Sequence, residues 1–260
     1  MTALSPDSTL DAIRREIDLI DDQILDLLGR RFAATNRVRA TKAKDGSIAS
    51  SPLRPAREAA MLRRLIAQGG DTVAPDVLVR LWRVILSAST QAQAPITLHL
   101  DAAAAGDLEA RLMIGEHFCA MEVARHDGPQ QALEALRARR GDLAILATRS
   151  DWTVGFAPDE DGGPKVIGIL PVISRSNEPR LLVFGYAEPQ ESGDDETLLI
   201  SKEPPAGHAW ASWQSTAGSR TLTGVPGFHR PDSPLIRELS SRLPGTCVAG
   251  RYPRPIKVSS

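Results

Sequence analysis

The chain has 260 residues, 42% of them hydrophobic, and a formal net charge of -1. That length holds one large domain or two modest ones, and no run of about 18 apolar residues is present to span a membrane. The N-terminal stretch MTALSPDSTLDAIRREID is polar and acidic without an apolar signal core, and Cys119 and Cys247 stand far apart without metal-ligand neighbours, so the expectation is a cytoplasmic protein with reduced, buried thiols.

Charge is unevenly spread. Residues 1–95 carry 14 Lys+Arg against 11 Asp+Glu, net +3, and the remainder 17 against 21, net -4. A basic first part and an acidic second part point to two units with different tasks.

Residues 8 to about 44 read as one helix. Ser8 followed by Asp11 resembles a capping box. Leu10, Ile13, Ile17, Ile20, Ile24 and Leu27 then recur in steps of 3 and 4, a coiled-coil seam. Asp45-Gly46 and the Ser-Pro that follows stop it. A second helix is expected from about Arg54 to Gln68, opened by Pro52 and Pro55 and closed by Gly69-Gly70. A third runs from Pro75 to about Gln93, with Pro95 beyond its end. The first would be about 54 Å long and the others roughly 22 and 28 Å, at 1.5 Å per residue. Two short helices cannot cover one that long, so the rest of the seam needs another surface, most simply a second copy of the chain. The predicted architecture of 1–95 is an all-α, three-helix, intertwined dimer.

After Pro95 the texture changes. ITLHL, DLAIL, KVIGILPVI, RLLVFGYAE, TLLIS and TCVAG read as strands, and DLEARLMIGEHF, GPQQALEALRARRG and SPLIRELSSRL as helices. The alternation predicts an α/β domain over 96–260. PQESGDDE reads as a solvated acidic loop and YPRPIKV as a tail packed on the domain. The five histidines (His99, His117, His126, His208, His229) show no metal-ligand spacing.

The apolar stripes are interrupted by charge. Continuing the first seam from Leu27 reaches Arg31, then Ala34 and Val38, and Lys42 lies eleven residues beyond Arg31 on the same face, about 16 Å along the axis. In the second helix Glu58, with Arg57 beside it, shares the stripe of Met61, Leu62 and Leu65. In the third, Leu78, Leu81 and Ile85 lead to Ser89 and Gln93. A buried unpaired charge is costly. Either Arg31 and Lys42 reach solvent along their stems while Glu58 pairs with one of them, or these residues line an inter-helix pocket suited to a small dianion. Arg14, about 25 Å from Arg31 along the helix, cannot serve the same pocket in one chain but could in an antiparallel dimer. The basic run RRFAATNRVRATKAK has one aromatic, and Arg31 points along the seam rather than outward, so nucleic acid is not the expected partner.

LDAIRREID, LLGRRFAATNRVRATKAK, RPAREAAMLRRL and RLWRVILSASTQAQ together resemble the all-helical chorismate mutases over the first 95 residues. The resemblance implies an interlocked three-helix homodimer in which Arg14 reaches into the partner's site. It also implies that Arg31 and Lys42 hold the substrate within the subunit, and that Arg57, Glu58, Ser89 and Gln93 complete the site. One position departs: where relatives fused to a dehydratase can carry Asp, three residues before the Arg-Glu pair, this chain has Arg54. The implied reaction is the intramolecular rearrangement of chorismate to prephenate, which needs no cofactor or metal. Arg14 and Arg31 suit its two carboxylates. Lys42 and Gln93 suit the ether oxygen, Glu58 the ring hydroxyl, and Ser89 a carboxylate.

GPQQALEALRARRGDLAIL and the strands after it are faintly similar to the substrate lobes of prephenate dehydratases, but that family's Thr-Arg-Phe motif is represented only by Pro179, Arg180 and Leu181. The alternatives to a mutase with a non-catalytic α/β extension are a bifunctional mutase–dehydratase, an isochorismate pyruvate-lyase-like enzyme, and a non-enzymatic helical dimer.

Overall fold

The computed structural model describes residues 6–44, 52–69, 72–119, 121–156, 162–204, 211–243 and 245–257. Its contacts divide the chain into two compact units, Met1–Ile48 and Ala49–Ser260. The change of texture at Pro95 therefore falls inside the second unit, because the second and third helices pack onto the elements that follow them.

The first unit is one helix, α1 (Pro6–Lys44), 39 residues long. The seam residues Leu10, Ile13, Ile17, Ile20, Ile24 and Leu27 are 46–58% exposed. α1 already begins at Pro6, so Ser8 lies inside the helix rather than at its cap, and the stop at Asp45-Gly46 lies outside the described residues.

The second unit opens with α2 (Pro55–Gly69) and α3 (Pro75–Gln93), each led by proline as expected. α2 buries Ala56, Glu58, Ala59 and Leu62, leaving Met61 and Leu65 only half-buried. α3 buries Val79, Arg83, Leu86, Ser87 and Thr90 together with Leu78 and Ser89. Leu81, expected on the buried stripe, is exposed with Val77 and Val84. α3 carries apolar residues on two sides, so period alone did not choose which faces inward.

The remaining elements are β1 (Thr97–Leu100), α4 (Ala102–Gly106), α5 (Leu108–Phe118), β2 (Glu122–Arg125), α6 (Pro129–Ala138), β3 (Leu143–Ala147), β4 (Lys165–Leu170), β5 (Leu181–Gly185), β6 (Asp195–Ser201), β7 (Trp213–Ala217), β8 (Arg220–Pro226), α7 (Pro234–Arg242) and β9 (Cys247–Pro253). The strands form one nine-stranded sheet in the order β2-β1-β3-β5-β4-β9-β6-β8-β7. β2, β1 and β3 are parallel, as strands joined by helices should be. β5 then runs antiparallel to both β3 and β4. β4 meets β9 in parallel at Val166↔Gly250. There a side chain on Gly250 would lie 2.0 Å from the Val166 carbonyl oxygen, so only glycine permits the contact. β9 to β6, β6 to β8 and β8 to β7 are antiparallel.

The buried apolar residues form separate clusters, one around Trp152, Phe184 and Tyr252 and another around Leu98, Phe118 and Ile145. Trp152, Phe156 and Phe184 meet edge to face with centroids 5.0–5.6 Å apart, a geometry worth about 0.5–1.5 kcal/mol per pair beyond burial. Buried Glu196 accepts hydrogen bonds from Ser212 Oγ, from Trp213 Nε1 at 2.7 Å and from the Tyr252 hydroxyl at 2.8 Å. The anticipated tail YPRPIKV is therefore partly interior: Tyr252 is buried on β9, between β4 and β6, and Ile256 bridges to Ile173. The PQESGDDE stretch is also more than a solvated loop. Ser192 closes it onto the Asp195 carboxylate, and Arg63 of α2 donates to the carbonyls of Ser192, Asp194 and Arg254. Those bonds anchor α2 on the sheet.

Candidate functional site

α2 and α3 bring together a buried ion pair. Arg83 Nη1 donates to Glu58 Oε2 at 2.6 Å, with side-chain exposures of 6% and 11%. Arg83 Nε donates to the His117 carbonyl at 3.3 Å, which ties the pair to α5. Arg83 sits four residues before Ser87 on the buried face of α3. Neither was singled out from sequence. The available signal was an arginine at a helical step from Val79 and Leu86, the anomaly that drew attention to Arg31.

The other expected site residues are placed as follows. Arg57 is exposed beside buried Glu58. Ser89 is buried and donates to the Ile85 carbonyl at 2.7 Å, and Gln93 Nε2 donates to the Ser89 carbonyl at 3.1 Å. These two polar residues are thus adjacent turns of one helix, each bonded to its own backbone. The Ser87 hydroxyl is buried with no hydrogen-bond partner among the described residues. Arg54 is half-buried and donates to the Leu53 carbonyl at 3.0 Å.

On α1, Arg14 is exposed and pairs with Asp11 at 3.2 Å. Arg31 is half-buried, and its carbonyl accepts from Thr35 Oγ1. Lys42 lies on α1, but its side chain is outside the described residues.

Two cavities flank the Glu58–Arg83 pair. One, of about 50 Å3, is apolar apart from Glu58, Arg83, His117 and Arg254. The other, of about 220 Å3, shares Arg83 and His117 and lies against α3, α5 and the chain after β4. Burial holds the His117 imidazole well below its ordinary pKa, and the Arg83 charge adds to the effect, so the ring is neutral at pH 7.

The histidines are less scattered than their spacing implies. His99 Nδ1 lies 3.0 Å from His126 Nε2, and His99 Nε2 lies 3.2 Å from Asp142 Oδ2, whose other oxygen accepts from the Thr97 amide. The carboxylate accepts from Nε2, so in the neutral pair His126 donates to His99 Nδ1. Burial lowers the His126 pKa, with His99 adding and Asp127 opposing. Among the described residues no group of three or more His, Cys, Asp or Glu side chains could hold a metal ion. Cys119 and Cys247 are not joined in a disulfide and are only partly buried, so the expectation of buried thiols is corrected. No helix among the described residues is long and apolar enough to cross a membrane.

Arg180, expected as the counterpart of the Thr-Arg-Phe arginine, is held by Asp107 at 2.5 Å and Glu109 at 2.6 Å.

Residues 13–94 match the family model Chorismate mutase type II. The matched segment spans the break between the two units and takes in α1, α2 and α3. No curated protein matches the sequence. Among solved structures, a prephenate dehydratase from Streptococcus mutans is 13% identical, covering 63% of this chain and all of its own, with a TM-score of 0.41. Another, described as "GqqA- a novel type of quorum quenching acylases", is 19% identical, covering 60% of this chain and 94% of its own, with a TM-score of 0.38. Likenesses this low carry no argument about this chain. The mutase match rests on the helices alone.

Proposed function

We propose that the protein is a chorismate mutase, rearranging chorismate to prephenate in a cytoplasmic homodimer whose catalytic domain is residues 1–95 and whose α/β domain is 96–260. The observation that supports it is the Chorismate mutase type II match over 13–94, a segment that carries Arg14, Arg31, Lys42, Arg57, Glu58, Ser89 and Gln93.

The reaction forms and breaks bonds within one molecule, so catalysis consists of holding the reactive fold and stabilising charge on the ether oxygen. In this reading Arg31 and, from the partner, Arg14 receive the carboxylates. Lys42 and Gln93 donate to the ether oxygen. Glu58 accepts from the ring hydroxyl, Ser89 supports a carboxylate, and Arg57 is among the residues that bind the substrate. No cofactor enters. What supports the dimer is α1: a six-residue apolar seam is about half exposed along some 26 Å of helix, and a second α1 would cover it by symmetry.

Purified protein should consume chorismate and yield prephenate. Prephenate as the sole product supports the mutase with a non-catalytic extension. Phenylpyruvate at neutral pH would make the chain bifunctional, and pyruvate from isochorismate would reassign it to the lyase reaction. An inert protein would end the enzyme reading. Mixing inactive Arg14→Ala and inactive Lys42→Ala subunits should restore part of the activity through hybrid dimers. No recovery, with subunit exchange confirmed, would exclude a shared site.

A further inference from the structure

The larger cavity is built as a binding site that the mutase chemistry leaves unused. Its body is apolar: Val79 of α3, Met113 of α5, and Leu170 to Ile173 after β4. Its head is polar and buried. Arg83, 6% exposed, engages Nη1 with Glu58 and Nε with a carbonyl, and Nη2 has no partner among the described residues. That nitrogen is not sealed from solvent, so it stays open to an acceptor on a ligand. His117, half-buried beside it, makes no hydrogen bond through either ring nitrogen among the described residues, its one ring contact being the edge of Phe118. The mouth carries both signs, with Arg80 and Glu116 3.8 Å apart and Asp76 in the first turn of α3.

We propose that this cavity binds a small carboxylate with an apolar body, its carboxylate accepting from Arg83 Nη2 and His117 and its body filling the space against Met113 and Val172. A cationic donor beside a neutral imidazole that can be protonated at either nitrogen suits one carboxylate. A space of about 220 Å3 with an apolar lining and few convergent polar groups has the ordinary composition of a small-molecule site. Asp76 and Glu116 at the mouth can also receive an ammonium group, which separates two sources of the ligand: an amino acid and the corresponding deaminated acid.

The test is calorimetric titration of the whole protein with 3-phenylpropionate, L-phenylalanine and phenethylamine, with no chorismate present. At least one of the two carboxylates should bind, and the amine should not. Stronger binding of L-phenylalanine, reduced to the level of 3-phenylpropionate in Asp76→Asn/Glu116→Gln, identifies the amino acid. Preference for 3-phenylpropionate identifies the deaminated acid. Met113→Trp, which fills the cavity from an outer helix, should weaken binding about tenfold or more while leaving chorismate consumption unchanged. Arg83→Met should abolish binding, with a melting curve as the check that it still folds, and Met113→Trp decides the matter if it does not. Equal binding of phenethylamine, binding that survives Met113→Trp, or no binding by either acid would overturn the proposal. Calorimetry reads this site directly, so a ligand that binds a catalytically inert chain would sink the mutase reading and leave this one standing. Turnover without any binding would do the reverse.

Discussion

α1 and the unit that follows it handle charge in opposite ways. On α1 the ion pairs stay outside: Arg14 pairs with Asp11 and Arg30 with Asp26, each member 62–73% exposed, and the apolar seam is about half exposed. In the second unit charge is taken inside and partnered. Glu58 meets Arg83, Asp142 meets His99 and Thr97, and Glu196 meets three donors. An exposed pair contributes about 0–1 kcal/mol, whereas a buried carboxylate stripped of its partner loses several. The second unit is thus a folded body with fixed internal electrostatics, while the apolar seam of α1 is left about half exposed.

The sharpest way to break this contrast is to remove one buried partner. Glu58→Ala should destabilise the second unit by about 3–5 kcal/mol, since it strands Arg83, and the loss should appear as a lower urea midpoint. An unchanged midpoint would mean the second unit tolerates lost charge as easily as α1 does. On α1 the comparable change should act on chemistry and not on folding. Lys42→Ala should raise the reaction barrier by about 3 kcal/mol, the worth of one oxyanion donor, with no shift of the urea midpoint. Full turnover would remove Lys42 from the mechanism.

Acid and alkali should separate the two regions more gently. The folded pKa of His117 lies below its unfolded value because of burial and Arg83. As pH falls below about 6.5 the unfolded chain takes up the proton first and the second unit loses stability. His117→Phe should flatten that slope in a pH series of melts. Tyr252 behaves oppositely at the other end. Burial, with the charge of Glu196 and its hydrogen bond, raises its pKa well above normal, so its contribution is complete below about pH 10 and declines above it. The smallest effect belongs to α1: Arg14→Gln breaks only an exposed pair, and its stability cost should stay under about 0.5 kcal/mol while turnover by the dimer falls.

Much of the helical part was legible because period and punctuation agree. α1, α2 and α3 begin and end within a residue or two of their proline, glycine and apolar signals. Strands β1, β3, β4, β5 and β6 were legible as short apolar runs between turns. The hairpin β7–β8 was missed although Gly218-Ser219, with Gly218 at φ 57°, marks a two-residue turn between WQSTA and RTLTGVP. β2 was missed for a better reason: EVAR is a mostly exposed edge strand without an apolar pattern.

The site was legible in part. Glu58 stood out as a charge on an apolar stripe, and it is indeed buried, but its partner Arg83 was not named. The pair joins residues 25 apart on different helices, and nothing local at either position specifies the other. The same holds for His99 and His126, whose 3.0 Å contact depends on β1 and β2 being neighbours in register.

By itself the sequence determined the local facts: where helices and strands start and stop, which stripes carry arginine, lysine and glutamate, and a segment whose residues match a mutase family. Those follow from backbone geometry and side-chain period, which act over a few residues. Only the tertiary structure decided that α2 and α3 pack with the α/β elements, that Arg83 holds Glu58, and that a cavity opens beside them. Burial and pairing are properties of surfaces brought together from distant parts of the chain, and no stretch of sequence contains them before the chain folds.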